Sequence, residues 1–460
     1  MTTFAEKFER AFRAILPSPF TIAILLTLFT FLLALAFGNF PEAHARFPTM
    51  LQYWYDGIWS APLMVFAVQM MLILVLGHAL ALAPPVNRTI ELILSKANTA
   101  ASVTFLVTFT TILVALFNWG LGLIFGAIIA RKTAEKFYRE GKPLNYPLLG
   151  AAGYIGLMVF HGGISGSAPL KAVEDGHLKT LMSGISSPEV LAKLPSSIPF
   201  DLTVFSTMNI VCSIALLAII PFVLSRVAYK TSKLVQLPFQ LDEPQKKQAN
   251  VTGAEKLDNS RWLSLLLAVI ILAFSIYLAF TSQSGLSFLT PNYLNFLMLG
   301  LGILLHGNFA NYIKAIESAI GGAAGILIQF PFYFGIMGLM KSTGLIEQIS
   351  GFFISISNET TFPIFTFFSA GLVNIFVPSG GGQWAIQGPI IVEAASQLNI
   401  PIAKSVMALA YGDQLTNMLQ PFWALPLLAV TGLKAREILP YTLLMLLMGL
   451  VIFITVLLIF

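Results

Sequence analysis

The chain has 460 residues, 57% of them hydrophobic and only 10% charged, with a mean hydropathy of +0.82. A soluble domain carries about 25% charged residues, so this composition excludes a soluble enzyme or binding module and indicates an all-α polytopic membrane protein. The net charge of +5 comes from charges gathered at segment ends and is no nucleic-acid signature, and the single cysteine, Cys212, excludes an internal disulfide and a cysteine-built metal site.

Residues 1–14 carry Lys7, Arg10 and Arg13 ahead of an apolar run, 15–37, that is too long for a signal-peptide core and reads as an uncleaved helix. A loop rich in Tyr53, Trp54, Tyr55 and Trp59 suits a membrane interface, and a span follows at about 62–83. The apolar stretch 99–130 breaks at Asn118-Trp119-Gly120-Leu121-Gly122 and leads into a basic loop with Arg131, Lys132, Lys136, Arg139 and Lys142. The next span, 146–170, is interrupted from His161 to Ser167, and a further span covers 201–225. Residues 226–261 are the least apolar in the chain and read as a cytoplasmic linker between two halves.

The second half has spans near 262–282, 291–306 and 315–340, a hairpin at about 361–398, an interrupted span at 404–430 and a last span at 438–460. Its hairpin carries three consecutive glycines, Gly380, Gly381 and Gly382, after Pro378. Glycine inside a helix costs about 1 kcal/mol against alanine and proline removes a donor, so no continuous helix is expected to cross this point. A break at membrane depth must be buried in protein or line a cavity. The arms 361–377 and 384–398 are each short for a full crossing, which favours a re-entrant tip over a solvent loop.

The halves match in the order of their features: span, glycine-tipped hairpin, interrupted span, final span. Tyr154 and Pro169 fall on Tyr411 and Pro426 at one offset, and Gly120, Gly122 and Gln69 fall on Gly380, Gly382 and Gln329 at another. Repeats with paired broken helices are the pattern of a secondary transporter. With the N-terminus cytoplasmic and both hairpins re-entrant, 20 of the 26 Lys and Arg residues fall on the cytoplasmic side, which obeys the positive-inside rule. The two repeats, 1–225 and 262–460, are then inverted in topology.

Four breaks converge in this scheme. Half-helix N-termini offer unpaired N–H groups to a carboxylate, and unwound carbonyls offer ligands to a hard cation. The substrate-binding candidates are Asn118, Gly120, Gly122, His161, Ser165 and Ser167 from the first half. The second half adds Ser379, Gly380, Gly381, Gly382, Gln383, Thr416 and Asn417, with Gln420 nearby. Asp413 is the acid that lies well inside a span and is the ion-coupling candidate, with Gln414, Asn118 and Ser379 beside it. Its alternative role is a structural bond to its own unwound turn. His161 either binds substrate, relays a proton or is hydrogen-bonded within a packed bundle. Trp119 and Trp384 read as packing or interface anchors. Gly163-Ile164-Ser165-Gly166 also fits the Gly-x-Ser-Gly pattern of intramembrane serine proteases, and a channel is a further reading. No resident metal or other cofactor is expected beyond a coupling Na⁺ or H⁺. A short acyl tail would rest on the apolar faces around Phe376 and Phe422.

Three stretches, VPSGGGQWAIQGP at 377–389, AYGDQLTNMLQPFWALPLL at 410–428 and FHGGISGSAPL at 160–170, resemble the short-chain fatty acid transporter family. The resemblance runs nearly the whole chain and implies uptake of monocarboxylates such as butyrate or acetoacetate across a bacterial cytoplasmic membrane, with carriage of C4-dicarboxylate-like anions as the alternative. Through the wider ion transporter superfamily it implies a scaffold and a transport domain, an elevator mechanism, a homodimer and cation symport. Asn118-Trp119 and Ser379-Gly380 occupy the places where that superfamily's divalent-anion carriers have Ser-Asn-Thr tips.

Overall fold

The computed structural model describes residues 17–41, 45–182, 191, 194–239, 253–281, 288 and 290–460. Lys7, Arg10 and Arg13, and most of the polar linker before Gly253, lie outside the described residues. Among those described, eight helical stretches are long and apolar enough to cross a membrane.

The first part runs α1 (Pro19–Phe37), α2 (Arg46–Ile58), α3 (Ala61–Leu82), α4 (Pro84–Ser95), α5 (Ala100–Phe117) and α6 (Trp119–Arg139). Then come α7 (Tyr146–Tyr154), two 3-10 turns (Ile155–Met158 and Phe160–Gly162), α8 (Ser167–Ala172), α9 (His177–Met182) and α10 (Thr207–Thr231). After the one-turn α11 (Glu255–Asp258) follow α12 (Arg261–Thr281), α13 (Pro291–His306), α14 (Phe309–Ile320), α15 (Ala324–Ser342) and α16 (Leu345–Ser355). The chain ends with α17 (Phe362–Phe376), α18 (Gly380–Gln397), α19 (Ile402–Thr416), a 3-10 turn (Asn417–Leu419), α20 (Pro421–Thr431) and α21 (Ala435–Ile459). Strand β1 (Pro143–Leu144) pairs antiparallel with β2 (Lys233–Leu234) and ties the two connections together at one end of the bundle.

One group of helices packs α12 on α13, α13 and α14 on α3, and α15 on α1 and α2. A second group joins the hairpin α5–α6 to α7 and α10, and α17 to α19. Glycines set the close crossings in this second group. The backbones of Gly126 on α6 and Gly153 on α7 meet directly, and Gly412 on α19 meets the Phe367 carbonyl on α17, leaving no room for a Cβ at any of the three.

Several boundaries differ from the sequence reading. The aromatic stretch 53–59 is not a loop: Tyr53 and Trp54 belong to α2, which Gly57 brings against Gly335 and Gly338 of α15. Tyr55 and Trp59 remain exposed. The basic loop is helical through Arg139, because ion pairs of Glu135 with Arg131 and Lys132, at 3.0 and 3.1 Å, carry charge along the buried side of α6. Glu135 is accordingly a buried acid, 6% exposed, in the charged end of α6 rather than inside an apolar span. The linker begins later than residue 226, since α10 continues to Thr231. The span 315–340 is two helices, α14 and α15, separated at Gly321–Ala323.

Candidate functional site

Both hairpins end in a capped helix start. Asn118 Oδ1 accepts from the Leu121 N–H at 3.0 Å, and Ser379 Oγ accepts from the Gly382 N–H at 3.2 Å. The three glycines therefore do not interrupt a helix. They form the first turn of α18, where N–H groups lack intrahelical acceptors anyway, and the break is Val377–Ser379.

The interrupted helix of the first half buries His161 completely, with 0% exposure. Its backbone N–H donates to Gln414 Oε1 at 2.9 Å, and its Nδ1 accepts from the Ser167 N–H at 3.0 Å. With Nδ1 an acceptor, the neutral imidazole carries its proton on Nε2. That atom lies 3.4 Å from Asp413 Oδ1. Asp413 is 1% exposed, and its Oδ2 has no donor among the described residues. The second hairpin closes over this pair: a Cβ at Gly380 would stand 2.5 Å from His161 Cε1 and 2.9 Å from Ser167 Oγ.

The first hairpin is stitched to the same break. The Trp119 N–H donates to Ser165 Oγ at 3.0 Å, and the Ile164 N–H to the Leu116 carbonyl at 2.9 Å. Around the second break, Asn374 Nδ2 lies 2.7 Å from the Asp413 carbonyl, 3.0 Å from Thr416 Oγ1 and 2.9 Å from Asn417 Oδ1. Gln420 Nε2 donates to the Asn374 carbonyl. The Tyr154 hydroxyl donates to the Asn417 carbonyl at 2.8 Å, and Asn417 Nδ2 donates to the Leu157 carbonyl at 3.1 Å. The two interrupted helices thus cross and hold each other's unwound turns.

His161, Ser165, Ser167, Asn118, Ser379, Gly380, Asp413, Gln414, Thr416 and Asn417 are therefore joined by direct contacts or shared partners. Gly381 is exposed, while Ser165, Ser167, Ser379, Gly382 and Thr416 are half-buried in front of the buried His161–Asp413 pair. Other candidates face elsewhere. Gln383 turns between the hairpin arms, where Nε2 donates to the Ala370 carbonyl at 2.8 Å and to Gln387 Oε1 at 2.7 Å. Gly122 packs on Ala115, and Gly120 lies against Leu294.

Trp119 stands edge-to-face with Trp423 at 5.6 Å and 6.3 Å from Phe160, and Phe422 stacks on Phe330 at 3.9 Å. These rings form an aromatic wall beside the polar cluster. Phe376 is not part of it; it stacks on Phe29 at 6.2 Å, on the outer side of α17. Trp384 is buried and its Nε1 donates to His177 Nε2 at 3.1 Å, a side-chain anchor rather than an interface residue. Asn374, Tyr154 and Asn209 were not among the site candidates read from the sequence, although Tyr154 was matched to Tyr411 between the halves. Asn209 Nδ2 donates to the Gly162 carbonyl at 2.7 Å and its Oδ1 accepts from the Tyr411 hydroxyl at 2.9 Å. Asn374 and Asn209 were visible as lone amides inside apolar runs, which in a membrane must find a partner.

Over residues 1–460 the sequence matches the family described as "Short chain fatty acid transporter". The chain belongs to this family. It is 40% identical over 445 residues to an Escherichia coli K12 protein provisionally named a short-chain fatty acid transporter, covering 95% of each chain. A Haemophilus influenzae protein with the same provisional name is 38% identical over 447 residues, covering 96% of this chain and 94% of that one. Among solved structures, MtrF of Neisseria gonorrhoeae superposes with a TM-score of 0.42 at 16% identity, covering 97% of each chain. The YdaH transporter of Alcanivorax borkumensis gives 0.39 at 16% identity, covering 95% of this chain and 97% of that one. This member of the short-chain fatty acid transporter family is a multi-pass membrane transport protein and not an enzyme, which sets aside the protease reading of Ser165.

Proposed function

We propose that the protein imports short-chain monocarboxylates, such as butyrate or acetoacetate, across a bacterial cytoplasmic membrane by cation symport. The observation that carries this reading is the meeting of the Gly380 tip with the buried His161–Asp413 pair. The carboxylate sits at the first turn of α18, taking N–H groups of Gly380 and Gly381 and the hydroxyls of Ser167 and Ser379. Helix-start N–H groups and a partial charge of about +0.5 suit an anion where no fixed cation is needed. The acyl tail lies along Trp119, Phe160 and Trp423.

The cation travels on the α19 side. Asp413 Oδ2, Asn374 Oδ1 and Gln420 Oε1 are buried oxygens without donors among the described residues. An oxygen-rich, donor-poor setting suits Na⁺ as the coupling ion, and H⁺ taken by Asp413 is the alternative. Moving a monoanion inward against a negative-inside potential costs about 2.3 kcal/mol per 100 mV, which one cotransported cation cancels.

The movement we propose is of elevator type, in a homodimer with the N-terminus cytoplasmic, and with the two halves as inverted repeats. In support, Asn118 and Ser379 cap the two tips in the same way, and α17, with 15 residues, is about 22 Å long, short of the roughly 30 Å hydrocarbon core. Counterflow in proteoliposomes with C2 to C6 acids, run with and without Na⁺ and proton gradients, tests the proposal. Butyrate or acetoacetate should compete, and uptake should follow the Na⁺ gradient. Succinate should compete poorly, because its second carboxylate meets the aromatic wall. Strong succinate transport without butyrate competition overturns the substrate class, and full uptake with neither gradient overturns symport.

A further inference from the structure

On the side of α6 away from the His161–Asp413 pair, two cavities adjoin along α4 and α6. One, of about 450 Å³, is lined by apolar side chains of α3, α4, α6 and α13, including Leu80, Ile93, Leu121, Ile128, Leu297 and Met298. The other, of about 470 Å³, is lined by Ser95, Lys132, Lys136 and Arg139 with Glu135 and Glu140. Ile90 lines both, and Ile128 of the apolar groove stands one helical turn before Lys132 of the polar pocket. The same two helices therefore form one continuous surface that changes from apolar to basic along its length.

The two acids do not cancel the charge. Glu135 is held by Arg131 as well as Lys132, and Glu140 pairs with Lys142 at 2.7 Å. Arg131 and Lys142 lie outside the lining, so two basic groups from beyond the pocket offset its two acids and leave Lys132, Lys136 and Arg139 to set its charge. Lys136 Nζ donates to the Leu94 carbonyl at 2.9 Å, which fixes it at the pocket and leaves two of its three donors for a ligand. Arg139 is exposed at the rim. From Trp119 to Lys132 the helix rises about 20 Å, comparable with the half-thickness of about 15 Å of a bilayer core. With the α6 tip near the midplane, the groove lies at the depth of acyl chains and the basic pocket at the depth of headgroups.

We infer that the two cavities form one site for an anionic phospholipid, with an acyl chain in the groove and the phosphate against Lys132, Lys136 and Arg139. Basic pockets between membrane helices recognise such headgroups, and the apolar groove adds what a free phosphate would not use. Because α6 carries both the pocket and the Asn118–Trp119 tip, and Leu121 lines the groove, a bound lipid steadies the first hairpin.

The test uses the full chain in detergent micelles doped with dioleoylphosphatidylglycerol or dioleoylphosphatidylcholine, read by native mass spectrometry and by thermal stability. Retention of phosphatidylglycerol should exceed that of phosphatidylcholine by about tenfold or more, and K136Q/R139Q should weaken it about 30-fold, the effect of two lost basic contacts. Ile128→Trp and, separately, Leu297→Trp should displace the chain while leaving every charge in place, so that one misfolded variant does not decide the matter. Gel filtration identifies the variants that remain folded. Equal retention of the two lipids, equal stabilisation by inorganic phosphate, or folded variants that keep the lipid each overturn the inference. So does a dimer that Ile128→Trp dissociates, which would make a second copy of the chain the occupant of the groove.

Discussion

Gly380 is where a single methyl group should separate the tip from the site. A Cβ there would lie 2.5 Å from His161 Cε1, 2.7 Å from Nε2 and 2.9 Å from Ser167 Oγ. Carbon contacts settle at about 3.5–4.0 Å, so ring and tip would have to part by about 1 Å. His161 has little freedom to give way. Its backbone N–H is held by Gln414, its Nδ1 by the Ser167 N–H, and its ring packs 4.0 Å from the Phe160 ring. Overpacking of this kind costs about 1–3 kcal/mol, offset by up to about 1 kcal/mol of helix propensity gained by alanine. Gly380→Ala should therefore lower stability by no more than about 3 kcal/mol, so uptake is compared on a variant that gel filtration shows to be folded. If the tip must dock to carry substrate, initial uptake in proteoliposomes should fall by about 5- to 150-fold, as 1–3 kcal/mol implies. A Cβ at the neighbouring Gly381 would meet nothing within 4 Å, and the backbone N–H survives the substitution, so Gly381→Ala should cost less than half of the uptake. Wild-type uptake by a folded Gly380→Ala variant, or equal losses at both positions, would refute the docking argument.

Asp413→Asn keeps the size of the buried side chain while removing its charge; it should abolish concentrative uptake and still permit substrate exchange, and undiminished accumulation would reduce Asp413 to a structural role. His177, outside the membrane-spanning segments, has its pKa lowered by burial against an opposing pull from Glu174, and in accepting from Trp384 Nε1 it must be neutral at Nε2. A lowered folded-state pKa means that the unfolded chain binds the proton more readily, so this contribution to stability is present above the ordinary histidine value of about 6.5 and is lost as pH falls below it. The melting temperature should drop on acidification through that range, and His177→Gln should flatten the dependence; an unchanged slope in the variant would dissociate His177 from it.

Much of the candidate site was legible because its signals are local. Pro378 and three glycines mark a helix break, a lone Asp413 in an apolar run marks a residue needing a partner, and Asn118 and Ser379 are polar residues that accompany the breaks. Breaks fall near those marks but with other bounds: α18 starts at Gly380 rather than at 384, and the first interrupted helix unwinds from Ile155 rather than from His161. Boundaries failed where packing overrides local preference. The basic stretch after Ala130 read as a loop because the pairing of Arg131 and Lys132 with Glu135 needs the helix to be present first.

By itself the sequence determined that the chain lives in a membrane, where its helices break and which polar residues accompany the breaks, since hydropathy, glycine and proline act within a few residues of themselves. Only the tertiary structure decided which breaks meet. His161 and Gln414 are 253 positions apart, and Asn209 reaches Tyr411 across 202. No local propensity encodes such pairings; they follow from the crossing of two interrupted helices whose unwound turns, buried from water, must find donors and acceptors in one another. The same crossing leaves the glycine tip resting on the imidazole of the other half, the contact on which the proposed transport site depends.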